Sequence, residues 1–219
     1  MKIVGDVHGE LSYLRKIIHG TEEEVICVGD VGVGFSGIGS KPAFRKNFKF
    51  IRGNHDKPED CRKHPQYLGD YGVYKDIFFI SGARSVDQDM RKENVDWWRD
   101  EQLSHADLEK ALALYKEFKP DIVISHDCPW EIQHFICRDI QLAKPWTKQW
   151  GDPRQYPTTI AMNEMLIYHR PKLWLFGHWH FDWKMDHLGT LFICIDTLAT
   201  LDLDAAIADF DGTDRGKHH

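Results

Sequence analysis

Lys2-Ile3-Val4-Gly5-Asp6-Val7-His8-Gly9 is the stretch on which the fold turns. A short buried-strand pattern, Lys2-Ile3-Val4, stops at a glycine and runs into a polar loop with an aspartate and a histidine. Leu11, Leu14, Ile17 and Ile18 then recur at helical spacing. The same unit returns along the chain. Val25-Ile26-Cys27-Val28 ends at Gly29-Asp30, and Phe48, Phe50 and Ile51 lead to Gly53-Asn54-His55-Asp56. Further on, Ile122-Val123-Ile124 ends at Ser125-His126-Asp127-Cys128-Pro129, and Leu173-Trp174-Leu175-Phe176 ends at Gly177-His178-Trp179-His180. In open α/β sheets, sites lie just beyond the carboxyl ends of the strands. The pattern therefore predicts an α/β fold with its chemistry on loops that leave strand ends.

The remaining segments fill in around this unit. Val73-Tyr74 and Ile77-Phe78-Phe79-Ile80 read as a strand pair around Lys75-Asp76. Ser104 reads as the N-cap of a helix that runs to about Phe118 and is ended by Pro120. Residues 130–156 predict a short helix and loops. Thr158 or Thr159 starts a helix that ends before Pro171, and 183–210 reads as strands. No repeat or linker divides the chain. One domain over 1–210 is expected, with 211–219 a polar, flexible tail whose His218 and His219 read as a tag remnant.

Composition narrows the function classes. The chain has 219 residues, 42% hydrophobic and 28% charged, which suits a packed core rather than disorder. No apolar run approaches the roughly 20 residues of a membrane helix, and no secretory signal pattern is present, so no membrane partner is expected. The net charge of −6 excludes bulk electrostatic gripping of nucleic acid. Five cysteines without C-x-x-C spacing point to free thiols in a reducing cytoplasm. The outlier is thirteen histidines. His19, His64, His105, His134, His169 and His187 belong to no block and read as ordinary surface or core residues.

The strand ends collect Asp6, His8, Asp30, Asn54, His55, His126, His178 and His180. Imidazole suits Zn, Fe and Mn, while carboxylate and amide oxygens suit harder ions such as Mn and Mg. The set fits one or two divalent metals. Two metals roughly 3.5–4 Å apart are the usual clamp for in-line phosphoryl displacement, and Asp30 is the natural bridging carboxylate.

Asp6-x-His8, Gly29-Asp30, Gly53-Asn54-His55-Asp56, His126 and Gly177-His178-x-His180, in this order, resemble the five blocks of the calcineurin-like metallophosphoesterases. The resemblance implies a four-layer α/β/β/α sandwich of two mixed β-sheets flanked by helices. It implies that Asp6, His8 and His180, with bridging Asp30, hold one ion, and that Asn54, His126 and His178, with Asp30, hold the other. The two divalent ions would be Mn first, with Fe, Zn, Ni, Co or Mg as alternatives. A metal-bridging hydroxide would attack a phosphate ester while His55 assists the leaving group. Arg52, Asn54 and His55 would contact the substrate, with Arg52 turning its guanidinium fork to the phosphate.

The wording around Asp6 and Arg52 is similar to the phosphoprotein phosphatase branch. It departs from that branch after Asp30, where Val31-Gly32-Val33-Gly34 replaces an Asp-Arg-Gly element. The carboxylate that would buttress His55 and a second phosphate-binding arginine are therefore missing, and Asp56, counted with His55 and Arg52 among the catalytic candidates, is the residue to support the His55 loop instead. Gly82-Ala83-Arg84-Ser85-Val86-Asp87, with Trp97-Trp98, Glu101 and Leu103, is similar to small bacterial and phage metallophosphoesterases.

The expected activity is phosphomonoester hydrolysis. The alternative is a phosphodiesterase for cyclic nucleotides, dinucleotides or nucleic-acid ends, so nucleic acid enters only as substrate. A non-catalytic scaffold, as in a retromer subunit of this superfamily, is the third reading, but such chains lose ligands that this one keeps. Arg84 and Arg91 read as solvated first, with reach to the substrate as the alternative. Trp146, Lys148, Trp150 and Arg154 read as groove-lining or as a covering loop. The glycines at 32, 34, 37 and 39 lack the Lys-Ser/Thr of a P-loop. Nothing in the sequence specifies an oligomeric state.

Overall fold

The structure, a computed structural model, describes residues 1–35, 38, 39, 42–143 and 152–214, the last four by backbone alone. In chain order the elements are β1 (Lys2–Val4), α1 (Leu11–His19), β2 (Val25–Cys27), β3 (Phe48–Phe50) and α2 (Pro58–Arg62). Then come β4 (Tyr71–Tyr74), β5 (Ile77–Ile80), α3 (His105–Phe118), β6 (Ile122–Ser125), α4 (Trp130–Ala143) and α5 (Pro157–Tyr168). The chain closes with β7 (Leu173–Phe176), β8 (Trp183–His187), β9 (Thr190–Cys194), β10 (Thr200–Asp202) and α6 (Leu203–Asp214).

Two mixed sheets form. The first has the order β10-β1-β2-β3 and the second β4-β5-β6-β7-β9-β8. β1, β2 and β3 run parallel, with β10 antiparallel beside β1. β5, β6, β7 and β9 run parallel, and antiparallel β4 and β8 close the two edges.

Strand alternation explains the layering, because successive side chains leave a strand on opposite faces. Ile3 and Ile26 join Ile77, Phe79, Ile124, Leu175 and Ile193 in a core between the sheets. Val4, Val25 and Cys27 face the other way, against Leu14 and Ile18 of α1. Phe78, Ile80, Val123, Trp174 and Phe192 pack on Leu108 and Tyr115 of α3, Ile132 and Ile136 of α4, and Met162 and Met165 of α5. The layers are therefore helix, sheet, sheet, helix, as expected. Both sheets are covered on both faces, which is why their strands read as unbroken apolar runs.

Three expectations are corrected. The strands read over 183–210 stop at Asp202, and α6 follows. Leu203, Ala206, Ile207 and Phe210 recur at helical spacing and pack into the inter-sheet core. Asp202 Oδ1 caps the helix by accepting from the Asp204 and Ala205 N–H groups at 3.1 and 3.2 Å. The tail expected from 211 is helical to Asp214, and 215–219 lie outside the described residues. The short helix after Pro129 has 14 residues, with Ile132, Ile136 and Ile140 buried along one stripe. All five cysteines are free thiols. Among the described residues no helix is long and apolar enough to cross a membrane.

Candidate metal centre

The loops after β1, β2, β3, β6 and β7 bring the candidate ligands together. Asp6 and His126 are fully buried, and Asp30, Asn54 and His178 nearly so. Three groups each gather ligand atoms within 4.8 Å of one another: Asp6–His8–His180, Asp6–Asp30–His126 and His8–Asp30–His55. His180 Nε2 lies 3.1 Å from Asp6 Oδ2, and His8 Nε2 lies 3.6 Å from that oxygen and 3.8 Å from Asp30 Oδ2. His126 Nε2 faces Asp30 Oδ1 at 3.4 Å and Asn54 Oδ1 at 3.2 Å. The His178 ring lies 5.1 Å from that of His126.

Backbone shape aims these groups. His8, Asp30, His178 and His180 all have left-handed φ, between 47° and 70°. Non-glycine residues rarely adopt that region, and it concentrates at functional sites. The flanking glycines are a matter of space. A Cβ at Gly53 would sit 2.0 Å from Asp30 Oδ1 and 2.5 Å from His126 Nε2, and one at Gly177 would sit 2.1 Å from Asp6 Oδ1.

Neighbouring polar groups set the orientation of the ligands. The Val28 carbonyl accepts from His126 Nδ1 at 2.9 Å, which turns Nε2 to the centre. Asn54 Nδ2 donates to Ser85 Oγ at 3.3 Å, and Ser85 is held by Glu101, so Asn54 presents its carbonyl oxygen toward His126. The His178 N–H donates to both Asp6 oxygens at 3.1 Å, and the His55 N–H donates to Asp30 Oδ1 at 2.7 Å.

The charges test whether divalent ions fit. Every ion pair that Asp6 and Asp30 make among the described residues is to a histidine, and none is to Lys or Arg. Burial would raise both carboxyls, but the surrounding histidines, His126 first among them with His8 and His180 beside Asp6 and His55 and His8 beside Asp30, together outweigh it and hold both low. His126 is in turn pushed up to about 10, its burial outweighed by Asp30 and Asp6. Two buried carboxylates compensated only by imidazoles match what a divalent cation requires, since buried charges are paired or bind metal.

The chain matches the calcineurin-like phosphoesterase family over residues 2–182. The chain belongs to that family. No curated protein sequence matches it. Among solved structures it is similar to a conserved uncharacterised protein of Streptococcus pneumoniae TIGR4, titled a predicted phosphoesterase. That likeness has 12% identity, covers 90% of this chain and 73% of the other, and has a TM-score of 0.34. It is also similar to GAP50, titled the anchor in the inner membrane complex of Plasmodium. There the identity is 10%, the coverage 90% and 71%, and the TM-score 0.44.

Against the phosphoesterase blocks, two expected residues do other work. Arg52 is fully buried, with Nε on Asp70 Oδ1 at 2.8 Å and Nη1 on the Glu101 carbonyl at 2.5 Å. It does not line the cavity over the centre, because Asp70 captures the fork that was expected to face phosphate. Asp56 was expected to act in catalysis or to support the His55 loop. Its carboxylate accepts the N–H groups of Gly32, Val33, Val31 and Gly53 at 2.7, 2.9, 3.2 and 3.0 Å. It thereby fastens the loop after β2 to the loop after β3. Burial and the nearby Asp30 charge push its carboxyl up to about 6, against the pull of those N–H donors.

The cavity over the centre has a volume of about 350 Å³. It is lined by Asp30, Asn54, His55, His178, Trp179 and His180 of the strand-end loops, by Val86, Asp87 and Arg91 of the segment after β5, and by Ile140 of α4. The sequence favours solvent over substrate reach for Arg91, yet its side chain is 12% exposed and Nη2 lies 2.7 Å from His55 Nε2. The i,i+4 spacing of Asp87 and Arg91 was the available signal. Phe35 was also missed: its ring stacks on His55, with centroids 5.0 Å apart. Arg84 lies over the Tyr156 ring at 4.3 Å, and Arg154 is exposed beside Asp152. Trp146, Lys148, Trp150 and Gly37 lie outside the described residues.

Proposed function

We propose that this chain hydrolyses phosphomonoesters at a dinuclear metal centre. Asp6, His8 and His180 would hold one ion, Asn54, His126 and His178 the other, and Asp30 both. Mn²⁺ is the first choice of metal, with Fe, Zn, Ni, Co and Mg as alternatives. The observation that carries the reading is the pair of buried carboxylates, Asp6 and Asp30, ringed by histidines from several strand ends, with no Lys or Arg ion pair among the described residues. When bound, two such ions supply Lewis acidity and an activated water.

The chain's own residues do the rest. Asp6 accepts the His178 N–H and Asp30 accepts the His55 N–H, so the ligand loops are tied to the ligands themselves. His55 sits at the cavity wall as the group placed to give a proton to a leaving oxygen. Burial is the main cause that pushes His55 down to about 4, with the Arg91 charge adding to it against the pull of Asp30. A small substrate agrees with the cavity, which is near the low end of the roughly 300–1,000 Å³ usual for ligand sites.

A diester substrate is the second reading, because Asp70 holds Arg52 out of the cavity. Turnover of p-nitrophenyl phosphate against bis(p-nitrophenyl) phosphate by the Mn²⁺-loaded protein decides between them. Higher kcat/KM for the monoester is expected. A preference for the diester would replace the first reading with the second.

A further inference from the structure

The residue that faces the cavity where an arginine was expected comes from a different segment of the chain. Arg91 follows the short helical turn Gln88–Met90, after β5, and shares the cavity with Asn54, His55 and His178. Four of its five N–H donors meet named partners. Nε and Nη2 hold Asp87 in a two-point clamp, at 2.6 Å to Oδ1 and 2.7 Å to Oδ2. Nη1 donates to the Asp96 carbonyl at 3.2 Å. The second Nη2 hydrogen points at His55 Nε2, 2.7 Å away. The guanidinium also lies 5.4 Å from the centre of the Phe35 ring, which itself stacks on His55. The fork is therefore fixed on one side by Asp87, Asp96 and Phe35. The donor it turns to the cavity rests on a nitrogen.

That resting contact is informative. Guanidinium is only a donor, so His55 Nε2 accepts and carries no hydrogen in this arrangement. A phosphate oxygen is a stronger, charged acceptor for the same donor and completes the fork geometry that arginine offers to oxyanions. Exchange of that donor from imidazole to phosphate also uncovers Nε2 on the cavity side. Arg52 does not serve here, because it is fully buried, does not line the cavity, and spends Nε and Nη1 on Asp70 and Glu101.

We propose that Arg91, clamped by Asp87, grips the substrate phosphate, replacing the arginine absent after Asp30, and so biases the site toward dianionic monoesters. Asp87 is the positioning residue. The inference rests on the phosphoesterase reading and goes further by naming the residue that sets substrate charge preference.

The test titrates inorganic phosphate into Mn²⁺-loaded protein by calorimetry, with metal content measured on each sample. Arg91→Ala is expected to keep its metal and to weaken phosphate binding about tenfold or more, the scale of one charge-assisted hydrogen bond. Arg91→Lys keeps the charge without the fork and should fall between the two. Asp87→Asn should raise KM for p-nitrophenyl phosphate more than it lowers kcat. Arg91→Ala should also cost the monoester more kcat/KM than it costs the diester. Phosphate binding equal to wild type in metal-replete Arg91→Ala and Arg91→Lys overturns the inference and leaves the phosphoesterase reading intact. A metal-loaded wild type that neither binds phosphate nor turns over either ester overturns that reading, and this inference with it.

Discussion

His55 is held at both ring nitrogens: Nδ1 lies 3.0 Å from His8 Nδ1, and Nε2 meets Arg91. It touches the Asp30 carboxylate at 3.5 Å and lines the cavity, and the resemblance gives it no place among the ligands. Replacement of His55 by Asn should therefore leave metal content unchanged and lower kcat about 100-fold or more, with leaving groups of high pKa affected most. Equal rates for wild type and His55→Asn on a poor leaving group would remove His55 from the chemistry. Asp30→Asn differs in kind, because Asp30 reaches His8, His55 and His126 at once. It should lose metal as well as rate. Two ions retained in Asp30→Asn would count against the bridge. The ligand residues were legible because each follows a short apolar run and a glycine or serine. Arg91 was not, since only the fold turns the segment after β5 back over the strand ends.

At the scale of elements, the strand-end loops are tied to one another. Asp56 joins the loop after β2 to that after β3, and the His178 N–H joins the loop after β7 to Asp6. There is no room within these loops for even a methyl group. Gly53→Ala should fold with its sheets intact, as read by circular dichroism, and bind metal at least about tenfold more weakly, the cost of displacing Asp30 and His126. Wild-type metal affinity in that variant would show that the loop yields. The strands of the parallel core were legible as unbroken apolar runs. Helix α6 was not, because its apolar residues alternate with Asp and Ala in a way that satisfies short strands as well as a helix. Packing of Leu203 and Ala206 into the inter-sheet core decides between them.

Across the molecule, the segment from Gly82 to Glu101 forms the second wall of the site and also locks Arg52. Asp70 sits at the junction: it accepts from Arg52 Nε and Tyr67 Oη at 2.8 Å and from Arg62 Nε at 2.9 Å. Burial would raise its carboxyl, but these partners, Arg52 foremost, outweigh that and hold it below the ordinary value. A carboxylate lowered in the folded state adds stability above about pH 4, and that stability is lost as the pH falls through the folded-state value. Asp70→Asn should cost about 3 kcal/mol at pH 7, because Arg52 is left buried without its partner. The gap to wild type in urea unfolding should shrink at pH 3. A gap independent of pH would mean that the charge of Asp70 contributes nothing. The layer order and the rim of strand ends were legible from the sequence. The burial of Arg52 was not, because its partners, Asp70 and Glu101, lie 18 and 49 residues away.

The central claim is that the acid-and-histidine rim is a metal centre for phosphate-ester hydrolysis. Metal-stripped protein, reconstituted separately with Mn²⁺, Ni²⁺, Co²⁺, Zn²⁺ and Mg²⁺ and assayed on p-nitrophenyl phosphate, tests it most directly. The expected result is no turnover when stripped, and turnover restored by Mn²⁺ in wild type but not in Asp30→Asn. No turnover with any of the five ions, or full turnover without one, would contradict it.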